Sequence, residues 1–310
     1  MFMMFAMTTD SVGVIIPQVS RSFHLSLAVA GSFHYTVMAG IGLGGVGLGF
    51  LADQLGRKGA IVLGLTLFAA SAFGFAFVDE FPIFLVLLFL SGLAIGVFKA
   101  GSLALIGDIS TSASDHTATM NIVEGFFGVG AIVGPAVVGA LLKVGASWKW
   151  LYVIAAALCL LLIFTAIGTP YPQSARPAAR PRIDLGAALP FFANPYALFI
   201  CALIVLYVGT ETAIYVWMPT FLGAQRAATT GLGGYALSIF FVLRAAGRFL
   251  GGWMLRRLAW TVVLIVCSGA IFACFGAAFM AGPNVAIVAH RGIARRVKRL
   301  SCSPEVFDAR

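Results

Sequence analysis

The sequence predicts an all-helical bundle that spans a membrane, and three observations carry that prediction. Of its 310 residues, 61% are apolar and only 10% charged, whereas soluble domains carry roughly a quarter charged residues. Mean hydropathy is +1.02, and 36 glycines suit helices that approach closely in lipid. The apolar residues also fall into nine continuous runs, each long enough for the roughly twenty helical residues that cross a hydrocarbon core. Strands in a bilayer would instead alternate apolar and polar residues, so helices are the spanning element.

Taken in order, the runs predict spans near 2–20, 28–51, 59–78, 82–107, 118–142 and 148–168, which form a first bundle over residues 1–168. The first run opens MFMMFAM, without a basic stretch or a cleavage signal, so it is read as a helix of the fold and not as a leader. Residues 169–190 hold five prolines and three arginines and predict a loop between bundles. Spans near 196–221, 232–255 and 259–281 follow, giving a partial second bundle over 191–282. From 283 to 310 the chain turns basic and polar, and this tail is expected to be foreign to the fold.

Lys and Arg positions give the orientation, because cytoplasmic loops are enriched in them. Arg57 and Lys58, Arg176, Arg180 and Arg182, and Arg256 and Arg257 share one side, which is read as cytoplasmic together with the N-terminus. Nine spans would put the bases from Arg291 to Arg299 on the opposite side, which is the reason for treating the tail as non-native. The net charge of +9 is thereby explained by topology, and nucleic acid is not a predicted partner. Four of the five cysteines lie inside apolar runs with no CxxC or ligand spacing, so neither disulfides, a metal nor any other cofactor is expected.

The second span ends in Gly49, Asp53, Gly56, Arg57 and Lys58. In this spacing Gly49 would permit close helix approach, Asp53 would face a helix N-terminus and pair with a base, and Gly56 would turn the chain in a short loop. The eighth span ends similarly: Gly252 and Arg256 each lie 203 residues after Gly49 and Asp53. Two halves with corresponding loops, six spans in the first, resemble the major facilitator superfamily of secondary transporters, and Gly49 to Lys58 looks like its signature loop. Asn121 to Pro135 in the fifth span, with Tyr207 to Glu211 and Trp217 in the seventh, is similar to the fucose/glucose/galactose permease branch.

That resemblance implies twelve helices in two bundles, alternating access, sugar as cargo, a proton or sodium ion as drive, and a multi-pass place in the bacterial inner membrane. It implies a gate in which the acid at Asp53 latches against an eleventh helix. Helices ten to twelve are missing here, so a truncated product is expected. The branch often carries an acid near Lys99, where this chain has a base.

Ionisable groups within a bilayer are costly and call for a partner or a role. Asp10 and Lys99 lie midway along the first and fourth spans and are expected to pair. Asn121 and Glu124, three apart on one helix face, are candidates for cargo hydroxyls. Glu211, flanked by Tyr207 and Trp217, is the leading binding residue, offering a carboxylate beside aromatic faces. Arg244 and Arg248 share a face of the eighth span and are read as snorkelling to the interface. No nucleophile with its base, metal spacing or phosphate loop points to an enzyme. The reading is a sugar:cation symporter, with a drug or organic-anion carrier, or a non-transporting fragment, as alternatives.

Overall fold

The computed structural model describes residues 1–172, 194–224, 236–255, 257–258, 261–274, 276–277 and 280. Twelve helices are introduced here in chain order: α1 Phe2–Thr9, α2 Val12–Ser22, α3 Leu27–Ala30, α4 Ser32–Gly47, α5 Leu51–Gln54 and α6 Gly56–Gly74. They continue as α7 Phe81–Ile109, α8 Ala113–Lys143, α9 Trp150–Gly168, α10 Pro195–Ala224, α11 Ala236–Leu255 and α12 Thr261–Cys274. No strand occurs among the described residues. Seven stretches are long and apolar enough to cross a bilayer, from Phe2–Ser22 to Pro195–Trp217, and the chain is a multi-pass membrane protein.

The remaining two predicted runs each hold a described helix: 232–255 contains α11 and 259–281 contains α12, and other residues of both runs lie outside the described residues. Most of the predicted 169–190 loop, and all of the 283–310 tail, lie outside the described residues.

The first span is two helices because its sequence competes with its own backbone. Thr8 and Thr9 donate to the Phe5 carbonyl at 2.9 and 3.1 Å, and Ser11 donates to Met7 at 2.5 Å. Hydroxyls bonded back into a helix loosen it there, and the ladder breaks at Asp10 and Ser11. In α8, Ser112 caps the N-terminus by accepting from the Asp115 amide, while the Asp115 carboxylate accepts from Thr111, a reciprocal cap of the capping-box kind. Pro135 then removes one intrahelical donor within α8.

Backbone contact holds the first bundle together. A Cβ on Gly40 would come within 2.9 Å of Gly92, and one on Gly44 within 2.9 Å of Leu93, so paired small-xxx-small faces bring α4 and α7 together. At one end of the bundle Phe75 stacks on Tyr152 with centroids 4.0 Å apart, and Phe84 and Trp148 pack edge to face at 5.4 Å. Such pairs add about 0.5–1.5 kcal/mol each beyond area burial. The second half meets the first along two seams, α11 on α8 and α10 on α2.

Candidate functional site

At one end of the bundle the signature loop is built around Arg57. Gly56 takes φ +76°, a left-handed conformation that glycine adopts without steric cost, and so begins α6 immediately after α5. Arg57 then bonds Asp53 at 2.7 Å and Asp108, in the last turn of α7, at 2.8 Å. Lys58 reaches the carbonyls of Ile167 and Thr169 at 2.6 and 3.1 Å, tying the loop to the end of α9. Asp53 therefore pairs with a base of its own motif. Gly49 needs correction: a Cβ there would clash with the Gly45 carbonyl of its own chain, while Ala100 across the interface stands at an ordinary 3.8 Å. Its smallness serves the turn at the end of α4.

Midway along the first and seventh spans, the two halves meet in a buried charge triad. Arg244 of α11 donates to Asp10 at 3.1 Å and to Glu211 of α10 at 2.5 Å, and the three side chains are 14%, 4% and 14% exposed. Thr9 donates to the other Asp10 oxygen at 3.1 Å. Asp10 is presented at the α1–α2 break, where Gly134 lets α8 press against the Met7 backbone and Ser11. The expected Asp10–Lys99 pair is thus replaced. Lys99 instead lies over the Phe127 ring, 5.4 Å from its centroid, and Arg244 lies over the same ring at 5.7 Å. Arg244 is accordingly no snorkelling residue: the face it shares with Arg248 points into the seam.

A second, more open group adjoins the triad. Arg248 approaches Glu124 at 3.6 Å and donates to the Tyr207 hydroxyl at 3.4 Å. Asn121, one turn before Glu124, is half-buried. Trp217 stands apart from these groups, packed on Gly31 at the start of α4. The structure thus brings Asp10, Glu211, Glu124 and Tyr207 together through two arginines, with Lys99 on Phe127 beside them and Trp217 outside. Sequence reasoning missed Arg244 and Phe127 as members of the site. The available signal was the cost of two arginines in one membrane helix, which called for acidic partners within reach.

Acids and bases in this region are equal in number: Asp10, Glu124 and Glu211 against Lys99, Arg244 and Arg248. The triad taken alone carries one surplus negative charge, and Lys99 has no acid partner among the described residues. No group of three metal-ligating residues occurs among the described residues.

The family model of the Major Facilitator Superfamily matches residues 1–293. A probable 4-methylmuconolactone transporter of Cupriavidus pinatubonensis is 25% identical over 246 residues, 76% of this chain and 55% of that protein. The 4-hydroxybenzoate transporter PcaK of Pseudomonas putida is 28% identical over 168 residues, 54% of this chain and 37% of that one. The quinolone resistance protein NorA of Staphylococcus aureus is 33% identical over 121 residues, 38% and 30% of the two chains. The chain spans about half the length, or less, of these relatives. Among solved structures, the Escherichia coli fucose:proton symporter FucP has a TM-score of 0.62 at 20% identity, covering 83% of this chain and 70% of that one. A D-xylose-proton symporter has a TM-score of 0.62 at 14% identity, covering 93% and 75%. At these identities the likeness is one of fold. With a family model matched over nearly its whole length and that fold, the chain belongs to the Major Facilitator Superfamily.

Proposed function

We propose that the chain is a secondary active transporter that carries a small organic anion with a proton, alternating access between its two halves. The observation that carries this reading is the triad. Asp10 comes from the first half, Arg244 and Glu211 from the second, and breaking their contacts separates the halves. A proton taken up by Asp10 or Glu211 removes the surplus negative charge and leaves Lys99 to balance a carboxylate. Proton and anion then cross together without a net change in the charge buried in the site, which keeps the desolvation cost of the loaded state low.

The cargo assignment differs from the sugar favoured on sequence for two physical reasons. The Glu211 carboxylate is occupied by Arg244, and an ammonium without an acid partner on an aromatic ring suits an aromatic carboxylate. Two of the relatives, named as 4-hydroxybenzoate and 4-methylmuconolactone transporters, support this reading. Sugar symport is the second reading. It is favoured by the hydrogen-bonding groups of Asn121, Glu124, Tyr207 and Arg248 on the open side of the triad. The basic end at Arg57 and Lys58 supports a cytoplasmic N-terminus and an inner-membrane location.

The test is uptake into proteoliposomes under an imposed proton gradient, with labelled 4-hydroxybenzoate and labelled D-xylose run in parallel and Glu211→Gln as control. Gradient-driven uptake of the anion alone, lost in the control, is expected. Uptake of xylose alone would replace the anion by the sugar reading, and uptake of neither by a correctly folded chain would refute transport by these 310 residues.

A further inference from the structure

His34 lies in the first turn of α4, 1% exposed, and neither of its ring nitrogens has a hydrogen-bond partner among the described residues. A neutral imidazole carries one donor and one acceptor, and burying both unpaired is costly. Its neighbour Phe33 shows what the bundle uses where it wants packing alone: that ring is fully buried in the aromatic cluster of its own half. The polarity at position 34 therefore calls for a use outside this packing.

Two aromatic rings lie against His34, that of Tyr35 on its own helix and, from the other half, that of Tyr215. Tyr215 of α10 meets the imidazole edge to face, with centroids 5.8 Å apart and planes at 79°. Two residues further on, Trp217 packs on Gly31, where a Cβ would come within 2.9 Å of the indole. Gly13 allows α2 to run against the Tyr215 backbone, with a Cβ there only 3.3 Å from the Tyr215 carbonyl carbon. The segment 215–217 is thus a cover laid over α2 and α4, and the same helix carries Glu211 one turn earlier. His34 sits beneath this segment, on the side of the triad away from Arg57 and Lys58.

We propose that His34 is a hydrogen-bonding contact for the cargo on its path to the triad, covered by Tyr215 in this conformation and uncovered when α10 separates from α2 and α4. The inference rests on the transport reading above. A hydroxyl can engage either ring nitrogen, accepting from the one that donates or donating to the one that accepts, so the part of the cargo assigned to His34 is a hydroxyl. Such a group is available on a phenolic acid and on a sugar alike.

Two measurements on the full chain test this. In the first, the five cysteines are replaced by alanine, and His34→Cys or Phe33→Cys is introduced. Membrane vesicles are then treated with a membrane-impermeant maleimide. Labelling of His34→Cys at least tenfold faster than Phe33→Cys is expected. Equal inertness of the two in native vesicles, with labelling only after denaturation, overturns the proposal. In the second, His34→Leu and His34→Gln are compared for gradient-driven uptake of 4-hydroxybenzoate and D-xylose and for thermal stability in detergent. The leucine variant is expected to melt higher while losing at least tenfold in kcat/KM, with glutamine restoring most of it. Wild-type uptake by His34→Leu overturns the proposal. Normal transport by both Asp10→Asn and Glu211→Gln would instead bring down the proton-coupling role given to the triad, and uptake of neither probe by the wild-type chain would bring down the transport reading, leaving the labelling result to decide whether His34 is uncovered.

Discussion

Arg244 and Asp10 lie 234 positions apart in the chain and 3.1 Å apart in the fold. Because Arg244 also holds Glu211, the three substitutions that break the triad are not equivalent. Removing either acid leaves a neutral pair, whereas Arg244→Gln leaves two carboxylates facing each other in a buried site. Loss of one partner from a buried ion pair costs about 3–5 kcal/mol. Arg244→Gln is therefore expected to lower the melting temperature in detergent clearly more than Asp10→Asn or Glu211→Gln, and a triple variant neutral at all three sites should recover much of the loss. Equal melting of the three single variants would contradict the assigned geometry.

Lys99 behaves in the opposite sense. Its contact with Phe127 is worth about 0.5–1 kcal/mol at an exposed site and somewhat more when desolvated, less than the cost of an ammonium held in a membrane without a countercharge. Lys99→Met should leave stability unchanged or raise it. If the lysine balances a carboxylate, the same variant should lose at least tenfold in kcat/KM for 4-hydroxybenzoate, about 1.4 kcal/mol. A variant that melts lower and transports normally would make Lys99 a structural residue.

Gly134 is expected to be intolerant of a single methyl. A Cβ there would lie 2.7 Å from the Met7 Cα and would collide with the Ser11 hydroxyl and the Met7 carbonyl. Since backbone must move, Gly134→Ala should destabilise by about 1–3 kcal/mol. It should also slow transport, because the segment displaced is the one that presents Asp10. Gly139, with open space around its Cβ position, provides the matched control, and Gly139→Ala should be silent in both thermal melting and uptake.

Gly56, at φ +76°, makes a separate prediction at the loop end of the bundle. Space is no obstacle there, since nothing lies within 4 Å of the position a Cβ would occupy; the cost is one of backbone conformation. Gly56→Ala should destabilise by about 1–2 kcal/mol, and Gly56→Asn by less, because asparagine tolerates the left-handed region better. Asp53→Asn should change stability little, since its carboxylate is 45% exposed and exposed ion pairs are worth about 0–1 kcal/mol. Thermal melting of the three variants side by side checks the order.

The first seven spans are legible because the bilayer imposes a length and a polarity that any window of sequence reports. The loop at Gly56 is legible for a similar reason, its glycine, acid and bases lying within a few residues of one another. The partner of Asp10 is not. Which way α11 is rotated against α8 depends on Gly125 and Gly128 meeting Phe249 and Ala245, and no local pattern in α11 records that phase. Spacing puts Arg244 and Arg248 on one face, but it does not say whether that face looks to lipid or into the seam. Trp217 fails in the same way: it is near Glu211 in sequence, yet ten residues past Tyr207 along the helix it packs on Gly31. Nothing in the spacing marks His34 either, because an unpartnered nitrogen leaves no pattern in sequence.

Helix α8 touches both halves of the molecule through its smallest residues. Gly125 and Gly128 face α11, while Gly130 and Gly134 face α1. Toward α1, backbone meets backbone, so α8 and α1 are locked as one body; toward α11, Gly125 lies under the Phe249 ring and Gly128 against Ala245. The helix is thus a keel for its own half and a seat for one aromatic ring of the other. What resists movement along this seam is that ring together with the charged contacts around Arg244, and only the charged contacts can be altered by a proton or an anion. Chemistry sets when the seam yields, and packing sets where.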